Sequence, residues 1–212
     1  MPPEVTPTEA ASPSVPMPAK VPRPKPGERR VKVLQTLAAM LEQPKSEKIT
    51  TAALAARLEV SEAALYRHFA SKAQMFEGLI EFIEQSIFSL INQISTQREA
   101  GAEQAHAIVL MLLGFAEKNP GMTRVLTGEA LVGEHERLQE RINQLLDRIE
   151  TSLKQVLRLA AAQAGTPDDG DAASRANLLV SYALGRWHRY AKSGFKRAPS
   201  ESAEAQVAIL LR

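Results

Sequence analysis

From residue 31 onward, apolar residues return along this chain at spacings of three and four and almost nowhere in alternation, which predicts helices and no sheet. Val31, Leu34, Leu37, Ala38 and Leu41 predict a first helix ending near Pro44. Leu54, Ala55 and Leu58 make a second, short stripe, Val60 sits in a turn, and Ala64, Leu65 and Phe69 make the matching stripe of a third helix. These three stripes can close on one small core. Ser71, followed three residues later by Gln74, is a capping-box pattern that opens a long helix through Met75, Phe76, Leu79, Ile80, Phe82, Ile83, Ile87, Leu90, Ile91 and Ile94.

The run Ala107 to Ala116 is apolar on every side and predicts a helix buried at the centre of a larger unit. Asn119, Pro120 and Gly121 break it, and a short helical segment through Val125 and Leu126 follows. Leu138, Ile142, Leu145, Leu146, Ile149, Leu153, Val156 and Leu157 predict a long one-sided helix. Gly165, Pro167 and the acidic DDGD predict a loop. Leu178, Leu179, Tyr182, Leu184, Trp187 and Tyr190 then mark a penultimate helix, and Val207 to Leu211 a short last one. The expected chain is all-α, with a tail over 1–27, a small head over 28–70 and a helical body over 71–212.

Composition narrows the chemistry. Residues 1–27 hold 9 of the 13 prolines, a composition expected to stay disordered because it cannot bury enough apolar surface to offset the entropy of ordering. The chain has no cysteine, which excludes disulfides, thiolate metal sites and a cysteine nucleophile. It has no apolar run of the ~18 residues a membrane helix needs. The stretch MPPEVTPTEAASPSVP lacks the basic head and apolar core of a secretory signal, so a cytoplasmic location is expected. His68, His106, His135 and His188 are scattered, with no HExxH pattern, phosphate-cradling glycine loop or nucleophile elbow. Glu134, His135 and Glu136 are adjacent and so point to different sides of a helix. No enzyme, metal or cofactor is expected.

The net charge of +2 conceals an asymmetry. Residues 20–72 carry 11 Lys or Arg against 5 acids, or +6, whereas residues 1–19 give −2 and residues 73–212 give 15 − 17 = −2. Positive charge is therefore concentrated around the two short helices, where it would hold a polyanion through counterion release. Lys20, Arg23, Lys25, Arg29 and Arg30 form either a basic arm that reaches DNA or a solvated linker. With the apolar stripes turned inward, Ser61, Glu62, Ala63, Tyr66, Arg67 and His68 are left outside on the second helix of the pair, a set rich in groups that bond bases and phosphates. Ser61 also suits the cap of that helix.

The string LYRHFASK after a helix-turn-helix, followed by a helical body, resembles the TetR family of DNA-binding regulators. SEAALYRHFASKAQMFEGLIEFIEQS, GFAEKNPGMTRVLTG and RLQERINQLLDRIE are similar to segments of that family's nucleoid-occlusion members, over roughly residues 31–160. The resemblance implies a dimer that binds palindromic chromosomal sites and, when bound, antagonises the division GTPase FtsZ so that no septum forms over the nucleoid. The number of dimers per site stays open. On the DNA side it adds Thr50 and Thr51, at the start of the first helix of the pair, where hydroxyls and free backbone N–H groups suit a phosphate or a cap, and Lys72 as a phosphate contact. On the partner side it implies a groove between the long helix and the next one, including Phe82, Gly114, Lys118, Asn119 and Met122.

Four departures from the family pattern stand out. Glu59 occupies a turn position that usually holds glycine, so positive φ with a strain of ~1 kcal/mol is expected there. Ala53 and Ala70 replace residues that are often lysine and proline, and Leu90 stands where close relatives have an arginine facing the partner groove. A ligand-responsive repressor shares the whole DNA side and is the alternative reading. It needs polar or aromatic groups pointing into the body, where the central run offers aliphatics, Met111 and Phe115. A dimer is expected because the stripe Leu138 to Leu157 and the face around Trp187 each look apolar enough to need covering.

Overall fold

The computed structural model describes residues 26–43, 49–166 and 171–212, and the regular elements among them are all helical. The head consists of α1 (Pro26–Leu41), α2 (Thr51–Arg57) and α3 (Glu62–Tyr66). The body consists of α4 (Lys72–Gln97), α5 (Gly101–Lys118), α6 (Pro120–Leu126), α7 (Glu136–Ala164), α8 (Asp171–Lys192) and α9 (Ala203–Leu210), with a 3-10 turn at Glu129–Leu131. The expected disorder up to residue 25 and the loop at 167–170 lie outside the described residues, and α1 ends at Leu41, close to Pro44 as its spacing predicts. α1 starts at Pro26, inside the stretch expected to be tail. Proline suits a first helical position, since its φ is preset and that position needs no N–H.

Val33, Leu34, Leu37 and Leu41 of α1 close with Leu54, Ala55, Leu65 and Phe69 into the head core. Met75, Phe76, Leu79 and Ile80 of α4 are buried in the same continuous cluster, so head and body share one core. In the body, α5 packs against α4, α6, α7, α8 and α9. Ile108, Val109, Leu112, Leu113 and Ala116 face inward and are fully buried. The expectation that α5 is buried on every side fails. Ala107, Leu110, Met111, Gly114 and Phe115 are half-exposed, because no helix among the described residues closes the remaining side.

The stripe of α7 expected to await a second chain is covered within this one. Leu138, Ile142, Leu145, Ile149, Leu153, Val156 and Leu157 are buried, with α4, α5 and α8 packed against their helix. Trp187 is buried as well, and its Nε1–H donates to the Leu112 carbonyl at 3.2 Å. The apolar groups left in solvent are others, among them Val132, 80% exposed in the turn before α7, Leu178, 48% exposed on α8, and Ile209, 63% exposed on α9.

The head sits on one end of the body, joined mainly through α6 and the turn after it. Gly121 of α6 lies against the Ala38 carbonyl so tightly that a Cβ there would collide with backbone. The Arg124 guanidinium donates to the carbonyls of Leu41 and Gln43 at 3.2 and 3.1 Å, serving the end of α1 where carbonyls lack helical partners, and to the Glu129 carboxylate at 2.8 Å. Along α4 and α7 runs an ionic seam. Glu77 pairs with Arg137 at 2.6 Å, Glu84 pairs with both Arg141 and Arg148, and Arg148 lies 4.2 Å from the Phe88 ring centroid.

Candidate nucleic-acid interface and partner groove

Capping chemistry fixes both helices of the reading pair. The Thr50 hydroxyl accepts from the Ala53 N–H at 3.1 Å, and the Ser61 hydroxyl accepts from the Ala64 N–H at 3.2 Å. Each hydroxyl keeps its own hydrogen, which can be donated to a phosphate. Thr51 donates to the Glu62 carboxylate at 2.7 Å, and the Tyr66 hydroxyl donates to Thr51 Oγ1 at 3.4 Å. The start of α2 is thus tied to both ends of α3, and three expected site residues meet in one network. Ala63 and Tyr66 are exposed on this short helix, and Arg67 is exposed at its C-terminal cap.

Between the two helices Glu59 has φ 55, the left-handed conformation expected of it. The turn closes with the Glu59 N–H on the Ala56 carbonyl at 3.1 Å and the Val60 N–H on the Ala55 carbonyl at 3.0 Å. Downstream, the Ser71 hydroxyl accepts from the Gln74 N–H at 3.2 Å. Gln74 Oε1 reaches back to the Ala70 N–H at 2.8 Å, one residue before the cap, so the corner into α4 is held at two points.

Two expected DNA groups have other neighbours in the free chain. His68 is half-buried and lines a groove of about 180 Å³ with Arg29 and Lys32 of α1, over a floor of Val33, Leu58 and Leu65. Lys72 sets its ammonium 2.5 Å from the Glu134 carboxylate and 5.7 Å from the Phe76 ring centroid, with only 24% and 12% of the two charged side chains exposed. It sits in the joint between head and body. Glu134 lies 62 residues further on, in the turn before α7, and carried no signal in the sequence except its neighbour His135. His135 Nδ1 accepts from the Arg137 N–H at 3.3 Å and caps α7.

The partner-side residues fall on α4, α5 and the start of α6. Phe82 is half-buried on α4, which packs beside α5. A Cβ added at Gly114 would meet nothing within 4 Å, so this point of α5 is open. Gly114 shares its helix face with Ala107, Met111 and Lys118, and Leu90 adds an exposed apolar group on α4. Asn119 spends its Nδ2–H on the Phe115 carbonyl at 2.7 Å, closing the end of α5. Met122 is buried in the core cluster instead of facing the groove, because α6 turns it inward. Tyr190, whose hydroxyl donates to the Glu117 carbonyl at 3.1 Å, is raised above the usual tyrosine pKa by burial and by the nearby carboxylates of Glu117 and Glu42.

Residues 46–79 match the family described as Bacterial regulatory proteins, tetR family, and residues 102–212 match Tetracyclin repressor-like, C-terminal domain, of SlmA-like type. The chain is 52% identical to the nucleoid occlusion factor SlmA of Idiomarina loihiensis, over 86% of this chain and 93% of that protein. It is 50% identical to the SlmA of Marinomonas sp., over 88% and 94%. The chain belongs to the SlmA family of nucleoid occlusion factors. Like other members of the wider TetR group, it is a DNA-binding regulator and not an enzyme. Among solved structures it is similar to a TetR transcription regulator from Haloarcula marismortui, with a TM-score of 0.74, 16% identity and coverage of 87% of this chain and 97% of that one. It is also similar to the fatty acid degradation regulator FadR from Bacillus halodurans, with a TM-score of 0.72, 14% identity and coverage of 89% and 97%. At such identities these two likenesses speak for the fold alone.

Proposed function

We propose that two copies of this chain bind a palindromic duplex of the nucleoid through α2 and α3, and that the DNA-bound dimer engages FtsZ at the α4–α5 groove, keeping a septum from closing over the chromosome. The observation that carries this reading is half-identity to SlmA proteins across nearly their whole length, including the elements that form the groove. The half-exposed face of α5 with its open Gly114 supports it, since an apolar helix face left uncovered among the described residues suits a partner segment. Leu178 and Ile209 support self-association through α8 and α9 for the same reason. A two-fold dimer with one reading helix per copy calls for half-sites about one helical turn apart, or a multiple of it. The ligand-responsive alternative has less support: the inward face of α5 is already packed with its own Ile108, Val109, Leu112 and Leu113. The protein acts in the cytoplasm, at the nucleoid.

Pelleting of FtsZ polymers with this protein, with and without duplex fragments that it selects from chromosomal DNA, tests the reading. A selected duplex should strengthen co-pelleting and reduce the polymer mass. No change on adding DNA would overturn the reading in favour of an ordinary repressor.

A further inference from the structure

Between Asp171 and Glu201 the chain carries six basic residues, Arg175, Arg186, Arg189, Lys192, Lys196 and Arg197, and no acidic one. Two of them are engaged internally. Arg175 pairs with Asp171 at 3.6 Å and donates to the Leu211 carbonyl, and Arg186 donates to the carbonyls of Ala198, Pro199 and Glu201. Arg189, Lys192, Lys196 and Arg197 are exposed, and none has a carboxylate partner among the described residues.

The segment that presents them is held at every turn. α8 ends with Gly194 and Phe195 both left-handed, at φ 63 and 64, and the Phe195 N–H donates to the Tyr190 carbonyl at 3.0 Å. Holding a phenylalanine in that region costs roughly 1 kcal/mol, offset here by an edge contact of its ring with Tyr190 at 5.1 Å. The Ser193 hydroxyl accepts from the N–H groups of both Lys196 and Arg197, at 3.1 and 3.0 Å. Pro199 is buried, and the Arg186 clamp fixes the chain around it. Strained backbone held in place by its surroundings marks a segment whose shape is used.

Its location narrows the use. Tyr190 bonds the Glu117 carbonyl and Ser200 bonds the Glu117 carboxylate, which seats the loop on the last turn of α5, next to exposed Lys118 and to Asn119. α8 packs against both α5 and α6, and Lys192 to Phe195 line a pocket with Arg124 and Glu129 at the end of α6. We infer that Lys192, Lys196 and Arg197, continued by Lys118, form a rigid cationic shelf that takes an acidic polypeptide stretch of the protein docked in the α4–α5 groove. This rests on the groove being that protein's seat. Charge complementarity beside an apolar groove raises the association rate and fixes the direction in which the segment lies.

The test uses the full-length protein with Lys192→Gln, Lys196→Gln and Arg197→Gln combined, three exposed changes that leave the core untouched. Labelled FtsZ is titrated with wild type, the triple variant and Phe82→Ala, at low and high salt, each with selected duplex present. Three screened surface pairs predict an affinity for FtsZ lower by about tenfold in the triple variant at low salt, converging on wild type at high salt. Affinity for the duplex should be unchanged, and a poly-glutamate peptide should compete FtsZ off the wild type while leaving the residual binding of the triple variant unaffected. Unchanged FtsZ affinity in the triple variant, with loss in Phe82→Ala, overturns the shelf and keeps the groove. Retained binding in Phe82→Ala overturns the groove and the shelf with it. Loss of duplex affinity with intact FtsZ binding overturns the shelf in favour of a nucleic-acid surface.

Discussion

Lys72 is asked to serve two partners, and replacing each in turn shows which one it serves on DNA. In the free protein its ammonium is held by Glu134 at 2.5 Å in a mostly covered joint. A charge-assisted hydrogen bond of this kind is worth about 1.5–3 kcal/mol, so a phosphate that captures Lys72 must first make good that loss. Glu134→Gln removes the competing charge and should tighten binding to any duplex, by about tenfold for each ~1.4 kcal/mol no longer spent on parting the pair. Lys72→Ala should weaken binding on all sequences alike and lower the slope of log K against log salt by ~0.9 per protomer, or about 1.8 for a dimer. Fluorescence anisotropy of a labelled duplex over a salt series measures both effects. An unchanged slope in Lys72→Ala would show that Lys72 stays on Glu134 in the complex. Weaker binding in Glu134→Gln would show that the pair sets the posture of the head and does not compete with DNA. Either result refutes the argument.

Three other outcomes are expected. Gly121→Ala drives a methyl into the Ala38 carbonyl and should cost about 1–3 kcal/mol, seen as a melting temperature lower by roughly 3–10 °C; an unchanged Tm would mean that α1 and α6 part without cost. Ile209→Glu, alone or with Leu178→Glu, places charge on the exposed apolar groups of α9 and α8 and should shift sedimentation toward monomer at micromolar protein, while circular dichroism stays helical; a persistent dimer would place the two-fold contact elsewhere. Because burial raises the Tyr190 pKa, the unfolded chain loses its proton first on going alkaline, so stability is full below the ordinary tyrosine value near ~10 and falls as pH rises from there through the higher folded value. Tyr190→Phe should start about 1 kcal/mol less stable, for the lost bond to Glu117, and show a weaker decline over that window in denaturant midpoints.

Much of the head was legible in the sequence because its determinants are local. A cap serine and the N–H it serves lie three residues apart, as Ser61 with Ala64 and Ser71 with Gln74 do, and the positive φ of Glu59 was expected from the glycine that the resembled family usually has in this turn. The stripes of α1, α2 and α3 repeat at helical spacing, so their inward faces, and hence the outward set around Tyr66 and Arg67, could be read directly. Family membership was legible for the same reason, carried by contiguous strings.

What depended on partners distant in sequence was not. Periodicity shows that a helix has an apolar face but not which helix covers it. The stripe of α7 therefore looked available for a second chain although α4, α5 and α8 bury it, and the run in α5 looked fully enclosed although one side stays open. Lys72 met a carboxylate 62 residues away, and Met122 turned into the core because α6 packs on α1. The basic run from Arg175 to Arg197 was present in the sequence all along, masked by the acids counted with it over residues 73–212. Only folding sorted its members into two that clamp backbone carbonyls and four that face solvent, since free carbonyls and carboxylates are brought to a guanidinium by packing and not by spacing.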